Sequence, residues 1–202
     1  MKTPSWKNRA AAATYSLAVA LGTAQAPAHA LDAASVTPQS AGTAPLLLNG
    51  AGVRSEASAG LYSADLYLEH KTANPTEVLQ NKGTTQFRIV MLHDVSASQM
   101  ANLLTEGLVA NASDDDLVTL VSEIFDIGVL LSEQGKLSAG DSFEINSHPA
   151  AGMTLTLRSR AHSTPITQTF ANPRMFKVMM GIWLGEHPAD LGLKSALLGQ
   201  SI

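Results

Sequence analysis

Short runs rich in aliphatic and aromatic residues predict six β-strands in two groups of three. The first group covers residues 46–54, 61–69 and 87–92, and the second covers 142–146, 153–158 and 165–170. The first run begins with three leucines, which is typical of a buried strand, and then meets Gly50 and Gly52. Glycine at these positions permits either a close approach of another backbone segment or a positive φ angle.

Apolar residues that recur every three or four positions predict helices between and after the strand groups. Ser96 is the expected N-cap of a helix over 97–109, and Ser113 is the expected N-cap of a second helix. Pro173 opens a third helix that ends at Trp183, and a last short helix covers 191–198. The apolar stripe of the second helix comprises Leu117, Leu120, Val121, Ile124, Phe125 and Val129.

The order of these elements is strands, helices, strands, helices, without the β–α alternation of a parallel sheet. This order predicts an α+β fold in which an antiparallel sheet carries helices on one face. No internal repeat interrupts the region, so we expect one domain over residues 45–202. Residues 31–44 are rich in Ala, Ser, Thr and Pro and predict a flexible leader in front of that domain.

Three consecutive aspartates, Asp114 to Asp116, follow Ser113. We interpret them as helix-start residues, because the dipole of a helix favours carboxylates in its first turn. The alternative is a metal site. It is disfavoured because consecutive side chains diverge around a helix and cannot all converge on one ion.

Residues 1–30 have the three parts of a secretory signal peptide. Three basic residues and no acidic one open the segment, an apolar stretch follows from Ala10 to about Gly22, and Ala28-His29-Ala30 is an A-x-A cleavage site. The apolar stretch is shorter than the roughly 20 residues that a membrane span needs. We therefore predict export to the periplasm or medium, with cleavage after Ala30 or, alternatively, after Ala26. An amphipathic helix of the domain is disfavoured, because the segment lacks a polar face.

Composition narrows the classes of function further. The chain has 202 residues, with 13 Lys and Arg against 17 Asp and Glu, and no Cys. Removal of residues 1–30 takes away three basic side chains and no acidic one, so the formal charge changes from −4 to −7. Such a chain provides no basic footprint for nucleic acid. The absence of Cys excludes thiolate catalysis, Cys-based zinc sites and disulfides. No later segment reaches the length of a membrane span, so we expect no stable span after cleavage.

No familiar catalytic or cofactor motif occurs in the chain. GxSxG, HExxH, the Walker loop and GxGxxG are all missing, so we expect no cofactor and no metal. None of the five histidines after residue 30 lies four residues from another, and a surface or boundary position is favoured for each. Arg54 differs, because it follows an apolar strand and a glycine pair. It is either an exposed strand-end residue or a cation at the mouth of an apolar pocket, where it would bind a carboxylate or an enolate-like oxygen.

Four segments occur in an informative order along the chain. They are Asn49–Arg54 (NGAGVR), Leu66–Glu69 (LYLE), Val90–Ser96 (VMLHDVS) and Ile182–Pro188 (IWLGEHP), the last followed by Leu193-Lys194. Together they resemble the chalcone isomerase fold family, in particular its exported bacterial branch, over about residues 46–199. The resemblance implies a curved antiparallel sheet packed on one face by helices, with a ligand cleft between the layers. Plant enzymes of the family close a chalcone to a flavanone, whereas non-enzymatic members bind fatty acids through an Arg.

The resemblance also implies site residues. The family Arg maps onto Arg54 and a first-strand Thr falls near Tyr62. The positions of the catalytic Tyr, a downstream helix Asn and a late Thr fall on Met100, Gly107 and Ile182, so the polar set that would position water and the enolate is largely replaced. The implied ligand-binding residues are Arg54, Tyr62, Met91, Met100, Ile182 and Trp183, with Tyr62 or Tyr67 as a second donor.

Three functions stay open at this level. The first is an exported, non-catalytic binder of a fatty acid or similar amphipathic carboxylate, held by Arg54. The second is an isomerase acting on a chalcone-like enone, with Arg54 and Tyr62 as catalytic residues. The third is a structural or accessory envelope protein with a vestigial cleft, although a pure scaffold would not require the GAGxR segment. The expected partner is a small amphipathic or aromatic molecule, and the sequence leaves the oligomeric state open.

Overall fold

A computed structural model describes residues 45–56 and 59–200. The predicted signal peptide and leader lie outside the described residues. The elements in chain order are β1 (Leu47–Glu56), β2 (Ala59–Leu68), α1 (Pro75–Leu79), β3 (Thr85–Met91), β4 (Val95–Ser96), α2 (Ala97–Asn111), α3 (Asp114–Thr119), α4 (Val121–Ser132), β5 (Lys136–Leu137), β6 (Ser142–His148), β7 (Gly152–Arg158), β8 (Ile166–Phe170), α5 (Pro173–Leu184) and α6 (Leu191–Leu197).

Six strands form one sheet in the order β1-β2-β3-β6-β7-β8, and every neighbouring pair is antiparallel. The predicted α+β fold, with helices packed on an open antiparallel sheet, is therefore confirmed. The sequence did not predict α1, nor the two-stranded ribbon in which β4 pairs with β5. Both elements are too short for a periodic signal. No helix in the described part of the chain is long and apolar enough to cross a membrane.

The two faces of the sheet differ in polarity, because side chains alternate along each strand. On β2, Tyr62, Ala64 and Leu66 are buried under the helices, whereas the residues between them are partly exposed. The other face is polar, with cross-strand contacts such as the hydrogen bond that Gln86 Nε2 donates to Glu144 Oε1 over 3.0 Å. An antiparallel sheet with one packed and one solvated face is the outcome of this pattern.

Gly50 and Gly52 allow α6 to lie directly on β1. A Cβ atom at Gly50 would overlap the carbonyl oxygen of Ala196, and one at Gly52 would lie 2.8 Å from the Cβ of the same alanine. Neither glycine has a positive φ angle, so the close approach explains them. Asn49 of β1 also binds α6, because its Nδ2 donates a hydrogen bond to the carbonyl of Leu197 over 2.7 Å.

The expectation that the first strand is buried was wrong at its start. Leu47 and Leu48 are exposed, because β1 is the edge strand and pairs only with β2. Helix α6 covers the strand further along, at the glycines.

The predicted second helix divides into α3 and α4 at Leu120, which leaves helical geometry at φ −103° and ψ 12°. Within the predicted apolar stripe only Leu120 is fully buried. Val121, Phe125 and Val129 are 63%, 69% and 38% exposed, so the stripe was wrong as a buried face. Helix α4 carries two adjacent apolar rows, and the row with Ile127 and Leu131 faces the core.

The predicted helix starts are confirmed. Ser96 Oγ accepts a hydrogen bond from the backbone N–H of Gln99 over 3.1 Å, and Ser113 Oγ accepts one from that of Asp116 over 3.1 Å. Asp114 to Asp116 form the first turn of α3, as expected for helix-start residues. Asp115 and Asp116 also pair with Arg174 at the start of α5, which ties the two helices together.

Candidate functional site

An apolar cavity lies between the sheet and the helix layer. Its walls come from β1, β2, β3, β6 and β7 on one side and from α2, α4 and α5 on the other. Among the described residues that line it, Arg54 alone is charged. The lining comprises Arg54, Tyr62, Ile89, Met100, Leu103, Leu104, Ile127, Leu131, Phe143, Ile145, Leu155, Met179, Ile182 and Trp183.

The cavity is narrow in this conformation. The free space inside it measures about 30 Å³. It accommodates one or two waters. Larger depressions elsewhere, such as one lined by Glu69, Lys71 and Lys82, are more polar and more open to solvent.

Arg54 and Tyr62 stand side by side at the β1–β2 end of the cavity. They are direct partners in the antiparallel register, and the pairing is irregular between Arg54 and Ser55. Since direct cross-strand partners share one face of the sheet, Arg54 lies on the same face as the buried Tyr62, and the irregularity begins only after it. The guanidinium carbon of Arg54 lies 6.0 Å from the centre of the Tyr62 ring, within the range of a cation–π contact.

A hydrogen bond between β2 and α5 fixes the Tyr62 side chain. The indole Nε1–H of Trp183 donates to the Tyr62 hydroxyl oxygen over 2.8 Å, and both residues are buried. The Trp183 ring also packs on Phe87, with 4.6 Å between ring centres. Burial raises the pKa of Tyr62 above its usual value, and the Trp183 hydrogen bond and the charge of Arg54 offset part of that rise.

The arrangement leaves Arg54 and Tyr62 able to donate to an external acceptor. A tyrosine hydroxyl can donate one hydrogen bond while it accepts another, and the Tyr62 hydroxyl accepts one from Trp183. Among the side chains described, which exclude that of Glu56, Arg54 makes no ion pair, in contrast to Lys136 and Arg174. Together, Arg54 and Tyr62 can hold a carboxylate or an oxyanion at the mouth of the cavity.

The resemblance implies that polar residues are replaced at Met100, Gly107 and Ile182, and these positions lie on α2 and α5, where the two helices meet. Met100 and Ile182 are both buried and line the cavity. Gly107 lies so close to Ile182 that a Cβ atom there would be 2.7 Å from its Cγ2. Helices α2 and α5 therefore meet at this point without space for a water or an amide side chain.

The structure brings together five of the seven residues implied by the resemblance: Arg54, Tyr62, Met100, Ile182 and Trp183. Met91 pairs with Tyr62 in the next strand and is fully buried, but it does not line the cavity. Tyr67 lies on the polar face of the sheet, opposite the helices, because it alternates with the buried Leu66 and Leu68. Tyr67 therefore does not provide a second donor inside the cavity, and the expected set is corrected at this residue.

The C-terminal segment of the resemblance has a structural role. Asn111 of α2 donates through Nδ2 to the carbonyl of His187 over 2.7 Å, and its Oδ1 accepts from the N–H of His187 over 2.9 Å. Gly185 admits this side chain, since any Cβ atom there would overlap Asn111 Oδ1. Lys194 Nζ donates to the carbonyl of Gly185 over 2.7 Å. These contacts hold the turn after α5 and leave it outside the cavity lining.

Several lining residues were not predicted as site residues. Phe143, Ile145 and Leu155 come from β6 and β7, and Met179 comes from α5. Their inward direction was readable from strand alternation and helical periodicity. Their assembly around one cavity was not, because it depends on the strand order of the sheet.

Comparisons with known proteins agree with this fold. A sequence model of the family described as chalcone isomerase-like matches residues 31–199. The chain therefore belongs to the chalcone isomerase-like family. Among solved structures, it is similar to a fatty-acid binding protein of Arabidopsis thaliana, with a TM-score of 0.54 and 13% identity over 80% of this chain and 90% of that chain. At this identity the likeness shows the fold. Curated protein sequences include no match to the chain.

Proposed function

We propose that the protein is an exported, non-catalytic binder of an amphipathic carboxylate, such as a fatty acid, in the cavity beside Arg54. The observation that carries the proposal is the position of Arg54. A half-buried cation stands at one end of a cavity whose other lining is almost wholly apolar, and it makes no ion pair with the side chains described in residues 45–55 and 59–200.

The chemistry of the cavity matches both ends of such a ligand. A guanidinium binds a carboxylate through two parallel hydrogen bonds, and the Tyr62 hydroxyl can add a third. Leucine, isoleucine and methionine side chains suit a hydrocarbon tail, and methionine adapts its shape to it. A purely apolar ligand would leave the cation without a partner.

The apolar contact between α2 and α5 argues against retained catalysis. Cyclisation of an enone needs donors that stabilise the developing enolate, each worth roughly 3 kcal/mol. Met100, Gly107 and Ile182 provide none. Arg54 and Tyr62 remain able to polarise a carbonyl oxygen, which is the observation that favours an isomerase as the second candidate.

The glycines of the GAGxR segment do not bear on ligand binding. Gly50 and Gly52 are explained by the contact of α6 with β1, and any member with this packing would need them, with or without a ligand. Arg54 plays no part in the packing of α6 on β1, so its contribution to ligand affinity is what separates a binding protein from a vestigial scaffold.

A ligand tail requires more space than the present cavity offers. Pockets for small molecules usually measure at least about 300 Å³, which far exceeds the accessible 30 Å³. Helices α2 and α4 contribute Leu103, Leu104, Ile127 and Leu131 to the wall. We expect these helices to move away from the sheet when a tail enters.

The experiment is a titration with dodecanoate, preceded by lipid extraction of the purified protein and mass spectrometry of the extract. We expect saturable binding by the wild type and a loss of at least about tenfold in Arg54→Ala, as for the removal of a charged hydrogen-bonding partner. Arg88→Ala is the matched control, because Arg88 is exposed on β3 and points away from the helices. Equal affinity in the two variants would contradict the proposal.

The isomerase candidate is tested in parallel with a chalcone, followed by absorbance. Cyclisation at the rate of buffer alone removes that candidate for the substrate used. A rate that exceeds buffer and falls in Arg54→Ala would instead support it over simple binding.

A further inference from the structure

Four apolar side chains form an exposed stripe on the outer side of α3 and α4. Val118 of α3 is followed by Val121, Phe125 and Val129 of α4, and the last three recur every four residues and so share one face. All four are exposed, and Phe125 is the aromatic residue among them. Large contiguous apolar patches on the surface of a domain usually mark interaction sites.

Carboxylates border this α3–α4 stripe. Asp114 lies one turn before Val118, Asp126 follows Phe125, and Glu133 comes one turn after Val129. The segment from residue 97 to 133 contains seven acidic residues and no Lys, Arg or His. Arg174 neutralises Asp115 and Asp116 in part. Asp126 accepts a hydrogen bond from Gln168 Nε2 of β8 over 3.2 Å, which does not remove its charge. The described side chains form no ion pair with the three bordering carboxylates, so the border is negatively charged.

We propose that the α3–α4 stripe docks a partner protein that presents an apolar ridge flanked by lysine or arginine residues. The ridge would cover Phe125 and its neighbouring valines, and the basic residues would meet the bordering carboxylates. Interfaces of this kind combine an aromatic-rich apolar centre with a charged rim, and the rim controls partner choice and the rate of encounter.

The negative charge of the border disfavours two other occupants, which are a second copy of the chain and a lipid surface. A second copy of the chain would meet the same patch across a two-fold axis, which would set acidic borders against each other. An anionic bilayer surface attracts basic segments and repels acidic ones. A basic partner is the one for which both the apolar and the charged features are favourable.

The stripe is independent of the cavity described above. Helix α4 lines the cavity with Ile127 and Leu131, whereas the stripe occupies a different face of that helix. The docking proposal therefore does not rest on the proposed ligand, and the Arg54→Ala variant should retain it.

The probe is a synthetic helical peptide of leucine and lysine, five turns long, with the leucines on one face, labelled for fluorescence anisotropy with the full purified protein. We expect saturable binding that weakens as salt rises. Phe125→Ser should weaken it by about tenfold or more, as for a central aromatic residue of an interface. Leu191→Ser is the matched control, because Leu191 is also an exposed apolar residue but lies on α6. It should bind like the wild type.

Charge is tested by variants at the border. Asp126→Asn combined with Glu133→Gln should weaken binding and flatten its salt dependence, whereas Glu186→Gln in the turn after α5 should change neither. A peptide of the same composition in scrambled order, without an apolar face, and a peptide with glutamate in place of lysine should both bind at least about tenfold more weakly.

Several results would overturn the proposal. They are no binding of the leucine–lysine peptide, equal binding of the scrambled or glutamate peptide, and equal loss in Phe125→Ser and Leu191→Ser. If sedimentation shows a dimer that Phe125→Ser dissociates into monomers, the stripe binds a second copy of the chain instead. Phe125-dependent binding to vesicles of phosphatidylglycerol without peptide binding would assign it to a lipid surface.

Discussion

At the residue scale, direct contacts link Arg54, Tyr62 and Trp183. Trp183 holds the Tyr62 hydroxyl from α5, and Tyr62 stands beside Arg54 in the register of β1 and β2. The resemblance drew attention to all three residues. The hydrogen bond between the last two was not predictable, because it joins positions far apart in the chain through a packing that no local pattern encodes.

The raised pKa of Tyr62 predicts a distinct pH dependence of stability. An unfolded tyrosine ionises near pH 10, whereas burial keeps Tyr62 protonated to higher pH in the folded state. The stabilisation is complete below pH 10 and is lost as pH rises through the folded-state pKa. The free energy of unfolding of the wild type should therefore fall more steeply above pH 10 than that of Tyr62→Phe.

Urea unfolding between pH 7 and 11 measures this difference. At neutral pH the Phe variant should be less stable by about 1 kcal/mol, because Trp183 loses its acceptor, and the gap should narrow as pH rises. Tyr67→Phe, on the polar face, leaves the hydrogen bond between Trp183 and Tyr62 intact and should not show this loss at neutral pH. A gap between wild type and Tyr62→Phe that stays constant to pH 11 would show that Tyr62 titrates normally.

At the scale of elements, the contact of α6 with β1 depends on the missing side chains of Gly50 and Gly52. The sequence offered two explanations for these glycines, and only the packing of the C-terminal helix decided between them. That helix is the last element of the chain, whereas β1 is the first. A pattern within β1 could not reveal its position.

Gly50→Ala and Gly128→Ala make a matched pair of substitutions. At Gly50 the added methyl would overlap the carbonyl of Ala196, whereas at Gly128 in α4 it would meet no atom within 4 Å. We expect Gly50→Ala to lower the free energy of unfolding by about 1–3 kcal/mol. Gly128→Ala should raise it by up to about 1 kcal/mol through helix propensity. Changes of the same sign in urea unfolding would contradict the packing described for α6.

Helix α4 shows the limit of periodicity as a predictor. Two apolar rows adjoin on its surface, and spacing alone cannot tell which row faces the sheet. The row with Ile127 and Leu131 is inside, and Val121, Phe125 and Val129 are outside. The choice depends on how α4 sits against α2 and the sheet, which is a tertiary property.

For the whole molecule, the order of strands and helices was sufficient to predict an antiparallel sheet with a helix layer. The width of the cavity was not predictable, because it depends on how closely the helices pack on the sheet and on one another, as where Ile182 packs against Gly107. The retained cation and the replaced polar positions were readable in the sequence. The sequence could not show whether these residues surround one cavity, because that depends on the fold.

The predicted export concerns the full chain and has its own test. If residues 1–30 are a signal peptide, expression in a Gram-negative host should yield a periplasmic or secreted product. Intact mass spectrometry should then show the chain that begins at Leu31, or at Pro27 if cleavage follows Ala26. A product of full-length mass in the cytoplasm would contradict the prediction of export.

The central claim is that Arg54 selects a carboxylate on an apolar tail. The most direct measurement compares dodecanoate with 1-dodecanol by calorimetry, in the wild type and in Arg54→Gln, with Arg88→Gln as the control. A charge-assisted hydrogen bond is worth about 1.5–3 kcal/mol. The wild type and the control should therefore prefer the acid by about 10- to 100-fold, and Arg54→Gln should bind acid and alcohol about equally. An acid preference that survives in Arg54→Gln, or is missing in the wild type, would contradict the claim.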